Sequence, residues 1–124
     1  MQGPIGDTFE AITFDPPYKL NGTPSDPDER YGVNVKASIS DRHQLMADGL
    51  DECARVLARR GMLLVKCQDQ VASGRVHWQT HTMTDRAEAH GLRLVDAFLM
   101  LTTPRPQRSQ VHARRNYSTM LVFR

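Results

Sequence analysis

The sequence predicts an α/β fold, a sheet of about four strands with flanking helices. Three observations carry this. Two short apolar runs, Phe9–Phe14 and Met62–Val65, are rich in strand-forming residues and end in polar segments. Between them lies a stretch of helical periodicity, so strand, helix and strand follow in the order of a parallel βαβ unit with a right-handed crossover. Two later apolar runs, Leu92–Leu101 and Tyr117–Phe123, extend the sheet. At 124 residues the chain reads as a single domain, residues 1–124, long enough to bury a core although only 40% of it is hydrophobic.

The elements follow in order. Residues 1–8 are polar, contain Gly3, Pro4 and Gly6, and form a lead-in. Phe9–Phe14 is a short buried strand that Asp15-Pro16-Pro17-Tyr18 stops, because neither proline can donate to a ladder. Residues before proline are pushed toward extended geometry, so the turn is stiff. It presents Asp15 and Tyr18 at the carboxyl end of a strand, where open α/β sheets bind ligands. Residues 19–38 hold Gly22, Pro24, Pro27 and Gly32 among acids and read as a substrate-covering loop or a disordered segment. Ser40 is the expected N-cap of a helix with Asp41 in its first turn. Leu45, Met46, Leu50, Cys53, Ala54, Val56 and Leu57 make its apolar face, and Gly61 is expected to end it in the left-handed conformation. Met62–Val65 is a continuous apolar run, which predicts a strand buried on both faces. Residues 66–70 place polar groups, Lys66 first, on the edge that carries Asp15. After a break at Ser73-Gly74, residues 76–90 predict a second helix closed by Gly91. Residues 92–101 predict a third strand, 102–116 a basic loop with Pro104 and Pro106, and 117–123 the last strand.

Sixteen basic and fourteen acidic residues leave a net charge of +2, too little to announce a nucleic-acid binder. Distribution says more. Arg105, Arg108, His112, Arg114, Arg115 and Arg124 crowd the last twenty residues, and no acid follows Asp96. This is either a phosphate-facing surface or a solvated basic loop. Cys53, on the apolar helix face, and Cys67, after a strand, read as reduced structural thiols. Joining them with His77 and His81 as a zinc set fails, because the cysteines lack close pairing and one lies within a helix. No metal is expected. No apolar stretch is long enough to span a membrane and no secretory signal is present, which makes the cytoplasm the default location.

The tetrapeptide Asp15-Pro16-Pro17-Tyr18 after a strand resembles the catalytic motif of the S-adenosylmethionine-dependent amino-group DNA methyltransferases. The βαβαββ order with its closing hairpin resembles the second half of their Rossmann-like fold, in which the last strand enters antiparallel between its two predecessors. The run from Ala54-Arg55-Val56-Leu57 through Gly61 into Leu63-Leu64-Val65 fits the same pattern. The resemblance covers nearly the whole chain, and its specific part is residues 15–18. It implies that Asp15 and the Pro16 carbonyl accept hydrogen bonds from an exocyclic amine, a poor nucleophile while its lone pair is delocalised. Pro17 stiffens the turn, and Tyr18 stacks on a base flipped from the duplex. Asp15 also borders the cofactor, S-adenosylmethionine. Lys66 and the loop arginines Arg105, Arg108, Arg114 and Arg115 face nucleic acid. The acidic first residue favours adenine N6 over cytosine N4; RNA and protein-glutamine substrates stay open.

A complete member of that family also has a half with three strands and a glycine-rich loop for the methionine end of the cofactor. Eight residues precede the first strand here, and Gly3 and Gly6 neither follow a strand nor open a helix. The expectation is therefore a catalytic half whose Phe9–Phe14 strand is left as an edge. That edge would pair with a second copy or with a separate cofactor-binding chain. Two other readings compete: a non-catalytic remnant that binds nucleic acid through the basic loop, and a truncated fragment that oligomerises.

Overall fold

The computed structural model describes residues 8–16, 38–72, 74–101 and 117–124. The elements are β1 (Phe9–Phe14), α1 (Ile39–Val56), β2 (Leu57–Cys67), β3 (Gln70–Ala72), β4 (Arg75–His77), α2 (Gln79–Ala89), β5 (Leu94–Leu101) and β6 (Tyr117–Phe123). A four-stranded sheet runs in the order β1-β2-β6-β5, and β3 and β4 form a separate two-stranded ribbon. β1 and β2 are parallel, whereas β6 is antiparallel to both of its neighbours. The last strand thus lies between β2 and β5, as the sequence led us to expect.

One face of the sheet carries both helices. Met46, Ala47 and Leu50 of α1 and Met83 and Ala87 of α2 form a buried cluster with Leu63, Val65 and Cys67 of β2 and Leu121 and Phe123 of β6. Register explains the selection. Ile12 and Phe14 of β1 stand beside Leu63 and Val65, which in turn stand beside Phe123 and Leu121. Strand residues alternate between faces, so these side chains share the helix side. Gly49 lets α1 sit close, because a Cβ there would fall 2.6 Å from the Phe14 ring.

Several expectations need correction. β2 is not buried on both faces: Leu63, Val65 and Cys67 are fully buried, while Met62, Leu64 and Lys66, which alternate with them, are half-buried. A continuous apolar run reads as two covered faces, yet among the described residues helices cover only one. The N-cap of α1 is Ser38, not Ser40. The Ser38 hydroxyl accepts from the Asp41 N–H at 3.0 Å, and the Asp41 carboxylate accepts from the Ser38 N–H at 3.2 Å, a reciprocal capping box.

Gly61 does not end α1 either. The helix stops at Val56 and the chain passes directly into β2. Phe9 is in register with Leu57 but Ala11 with Met62, so the extra residues of β2 bulge out. Arg60 takes the positive φ, 64°, and Gly61 is needed for space: a Cβ there would lie 2.8 Å from the Ala58 carbonyl oxygen. The second helix starts at Gln79 rather than Val76, because residues 75–77 pair with 70–72 across a turn at Gly74, φ 74°. Gly91, φ 82°, does close it in the left-handed conformation. β5 is exposed along most of its length, with Phe98 at 55% and Leu101 at 77%. No described helix is long and apolar enough to cross a membrane.

Candidate functional site at the carboxyl edge of the sheet

Parallel β1 and β2 place their carboxyl ends side by side. Thr13 and Phe14 pair with Leu64 and Val65, and the next step brings Asp15 beside Lys66. The Lys66 Nζ lies 3.8 Å from Asp15 Oδ2. Both side chains are in part solvated, so the pair contributes little to stability and leaves the carboxylate open to a ligand. Pro16 is buried directly after it, so the chain is pinned where it leaves the strand. The expected position of Asp15, on the Lys66 side of the sheet, is what the structure shows.

Other predicted residues divide sharply. Asp15, Pro16 and Lys66 are described and come together. Pro17, Tyr18, the 19–37 segment and the loop arginines Arg105, Arg108, Arg114 and Arg115 lie outside the described residues. The strands that flank that loop do meet: Leu101, the last residue of β5, pairs with Tyr117, the first of β6. Because Cys67 and Leu99 both pair with Thr119, this junction lies at the same edge as Asp15.

Sequence reasoning misses the role of the segment after β2. Asp69 is buried, and its carboxylate accepts from both the Thr80 N–H, at 3.0 Å, and the Thr80 hydroxyl, at 3.1 Å. The Gln79 side-chain oxygen accepts from the Gln68 N–H at 3.1 Å. Trp78, the N-cap residue of α2, has no capping oxygen, so Asp69 serves from outside the helix and places its charge at the positive end of the dipole. The β3–β4 ribbon is looped out between these two anchors and therefore stands at the carboxyl edge. No local pattern of residues announces a cap eleven positions away.

Ionisation is strongly set at two further places. Asp51 of α1 receives Arg86 Nε at 2.8 Å and Arg86 Nη2 at 2.5 Å, with His90 Nε2 at 2.6 Å. The Arg86 hydrogen bonds, helped by His90 and opposed by burial, hold its carboxyl down at about 2. Burial, with Asp69 assisting, pushes the Cys67 thiol up to about 12, and burial also raises Cys53. Both cysteines are free and protonated at neutral pH, which suits structural rather than nucleophilic thiols. His43 and His77 approach edge to face, ring centroids 6.3 Å apart. Burial and then the charge of His77 lower the pKa of His43. Among the described residues no cluster of three or more metal-ligating side chains occurs.

No family model and no curated protein matches the chain. Solved structures do. A candidate DNA modification methylase from Thermus thermophilus, complexed with S-adenosyl-L-methionine, superposes with a TM-score of 0.61 at 17% identity, over 98% of this chain and 47% of its own. PvuII DNA methyltransferase, cytosine-N4-specific, gives 0.62 at 14% identity, over 95% and 44%. The complex of M1.HpyAVI with S-adenosylmethionine gives 0.52 at 16% identity, over 94% and 44%. At these identities the likeness establishes the fold alone, a mixed α/β sheet with flanking helices. The chain spans less than half the length of each of these proteins.

Proposed function

We propose that this chain is the catalytic half of an S-adenosylmethionine-dependent DNA methyltransferase that acts on an exocyclic amine, adenine N6 in the first instance. The observation that carries the reading is Asp15, exposed at the carboxyl end of β1 beside Lys66, in a sheet whose antiparallel last strand lies between β2 and β5. The solved structures similar to this fold include DNA methyltransferases, two of them holding S-adenosylmethionine.

The roles follow from the chemistry of the residues. The Asp15 carboxylate and the Pro16 carbonyl accept the two amine N–H groups, which directs the nitrogen lone pair away from the ring and makes it nucleophilic. Asp15 also stabilises positive charge as it develops on the nitrogen, a preorganised electrostatic contribution. Tyr18 stacks on the flipped base. Lys66 offsets the charge of Asp15 and, with Arg105, Arg108, Arg114 and Arg115, meets phosphates. S-adenosylmethionine, when bound, supplies the electrophilic methyl group.

Of the described residues, we assign only Asp15 to border that cofactor. Among them no glycine-rich turn follows a strand and opens a helix: Gly74 lies in the ribbon turn and Gly91 at a helix end. The methionine end therefore takes its cradle from polypeptide beyond the described sheet. β1 is where that polypeptide joins. Among the described residues it pairs on one side only, and Phe9 on it is 51% exposed. A second copy of the chain or a cofactor-binding segment fits such an edge.

The test is methyl transfer from labelled S-adenosylmethionine to DNA by the chain with a cofactor-binding half supplied, followed by mass spectrometry of the nucleosides. N6-methyladenine is the expected product. N4-methylcytosine is the second reading, favoured by the named specificity of the PvuII enzyme. Asp15→Ala should lower the rate by about 10²–10³-fold, as loss of one preorganised polar group does, and leave the fold unchanged. Full activity in Asp15→Ala would remove this residue from the acceptor role.

A further inference from the structure

The β3–β4 ribbon and the start of α2 carry a feature that the proposed chemistry does not use. Trp78 is 45% exposed, the only tryptophan of the chain, and it stacks on His81 with ring centroids 5.3 Å apart and planes 16° from parallel. The two rings project from a fixed base. Asp69 holds the Thr80 N–H and hydroxyl, and Gln79 holds the Gln68 N–H, so the first turn of α2 is tied to residues directly after β2. β2 is the strand whose Lys66 meets Asp15, so stack and carboxylate share one edge of the sheet. Arg75, exposed on β4, stands three residues before Trp78. His81 and Tyr117 line an open groove of about 400 Å³, which runs on past Thr84 and Asp85 toward β5.

We propose that the Trp78–His81 stack is a platform for a nucleobase of the DNA strand that enters the site at Asp15. The inference deepens the methyltransferase reading and rests on it. A flat aromatic surface offers every base a π-face, and it is sequence-tolerant for the same reason. Flipping one base out of a duplex also leaves its neighbours unstacked on one side, and such bases gain most from a substitute partner. A single exposed apolar residue needs no explanation by itself. This one has its plane set by a second ring and a rigid helix start beneath it. A fixed, exposed aromatic plane at the edge that carries Asp15 suits the stacking of a single-stranded base.

Because Trp78 is the sole tryptophan, its fluorescence reports the platform directly. The 124-residue chain is titrated with a short single-stranded oligodeoxynucleotide, and binding is followed in parallel by the anisotropy of a fluorescein-labelled version. Tryptophan fluorescence should be quenched along the same isotherm. An abasic oligomer of equal length should bind through its phosphates without quenching. Trp78→Ala should weaken binding of the base-containing strand by roughly 5- to 150-fold, the loss of one aromatic–base stack, and Trp78→Phe should recover most of it. Unchanged fluorescence with normal anisotropy, and Trp78→Ala binding as the parent does, would overturn the platform while the methyltransferase reading stands. A chain that shows no anisotropy change with any oligonucleotide, even with a cofactor-binding half supplied, takes down both.

Discussion

Asp51→Asn tests the energetics most cleanly, because one carboxylate joins the two helices and the substitution keeps its shape. Asp51 on α1 holds the Arg86 guanidinium through two hydrogen bonds and His90 through a third, all from α2 and its C-cap. Its pKa falls from 3.8 to about 2. At about 1.4 kcal/mol per unit, so large a shift corresponds to at most roughly 2.5 kcal/mol. The side chain is 30% exposed, and solvent screening reduces the expected contribution to about 1 kcal/mol. The sign follows from linkage. A carboxylate whose folded pKa is depressed stabilises the fold above its unfolded value, and this stability is lost as pH falls through the folded one. The parent's advantage over Asp51→Asn should therefore be complete above about pH 4 and shrink toward pH 2. Urea unfolding followed by circular dichroism measures it. With a slope of about 1.5 kcal/mol per molar urea, 1 kcal/mol moves the midpoint by about 0.7 M. A gap of the same size at pH 2.5 and pH 6, or no gap at either, would refute the assignment of this stability to the Asp51 charge.

Gly61→Ala should destabilise the chain by about 1–3 kcal/mol in the same unfolding assay, because its Cβ would press on the Ala58 carbonyl, which cannot swing aside as a side chain can. Replacing Arg108, Arg114 and Arg115 by alanine should weaken DNA binding about equally across sequences. It should flatten the log–log salt slope by up to about 2.7; an unchanged slope would reduce these arginines to solvated surface. Analytical ultracentrifugation at micromolar concentration should show self-association through β1 when no cofactor-binding half is present. A stable monomer with slow amide exchange along residues 9–14 would show that the chain covers this edge itself.

Which features can be read in advance depends on how local their causes are. β1 ends where expected because Pro16 and Pro17 have no N–H to offer a ladder. The place of Asp15 beside Lys66 is also legible, since parallel strands of one βαβ unit bring their carboxyl ends together. Ser38-Ile39-Ser40-Asp41 contains two plausible caps. The spacing of Ser38 to Asp41, which permits a reciprocal box, decides between them. Gly61 misleads for a different reason. Glycine after a helix suggests positive φ, whereas here Arg60 takes that conformation and Gly61 only makes room. The β3–β4 ribbon has three residues in each strand, too few for a period to register. Asp51 and Arg86 are 35 residues apart, and Asp69 and Thr80 are 11 apart; only the packed fold creates such pairs. Of the specific tetrapeptide, Asp15 and Pro16 are placed, while Pro17 and Tyr18 lie outside the described residues.

The placement of these long-range contacts separates the work of stability from that of recognition. α1 and α2 run side by side in the same direction: Asp51 meets Arg86 and His90 toward their carboxyl ends, and His43 meets His77 just before α2 begins. The ion-pair clamp thus lies at the end of the helix pair remote from Asp15, and the buried cluster of Met46, Leu50, Met83 and Phe123 lies between. At the other end, the polar contacts of Asp69 and Gln79 are spent on fixing the start of α2, and the surface they support is exposed and aromatic. Loss of the clamp should accordingly lower the urea midpoint and leave Trp78 quenching by an oligonucleotide unchanged. Asp69→Asn should do the reverse in kind, loosening the first turn of α2 and with it the plane of the Trp78 ring, because an amide lacks the second acceptor that now binds the Thr80 hydroxyl. If Asp51→Asn altered the quenching as much as Asp69→Asn, the two ends of the helix pair would be mechanically coupled, and this division of labour would not hold.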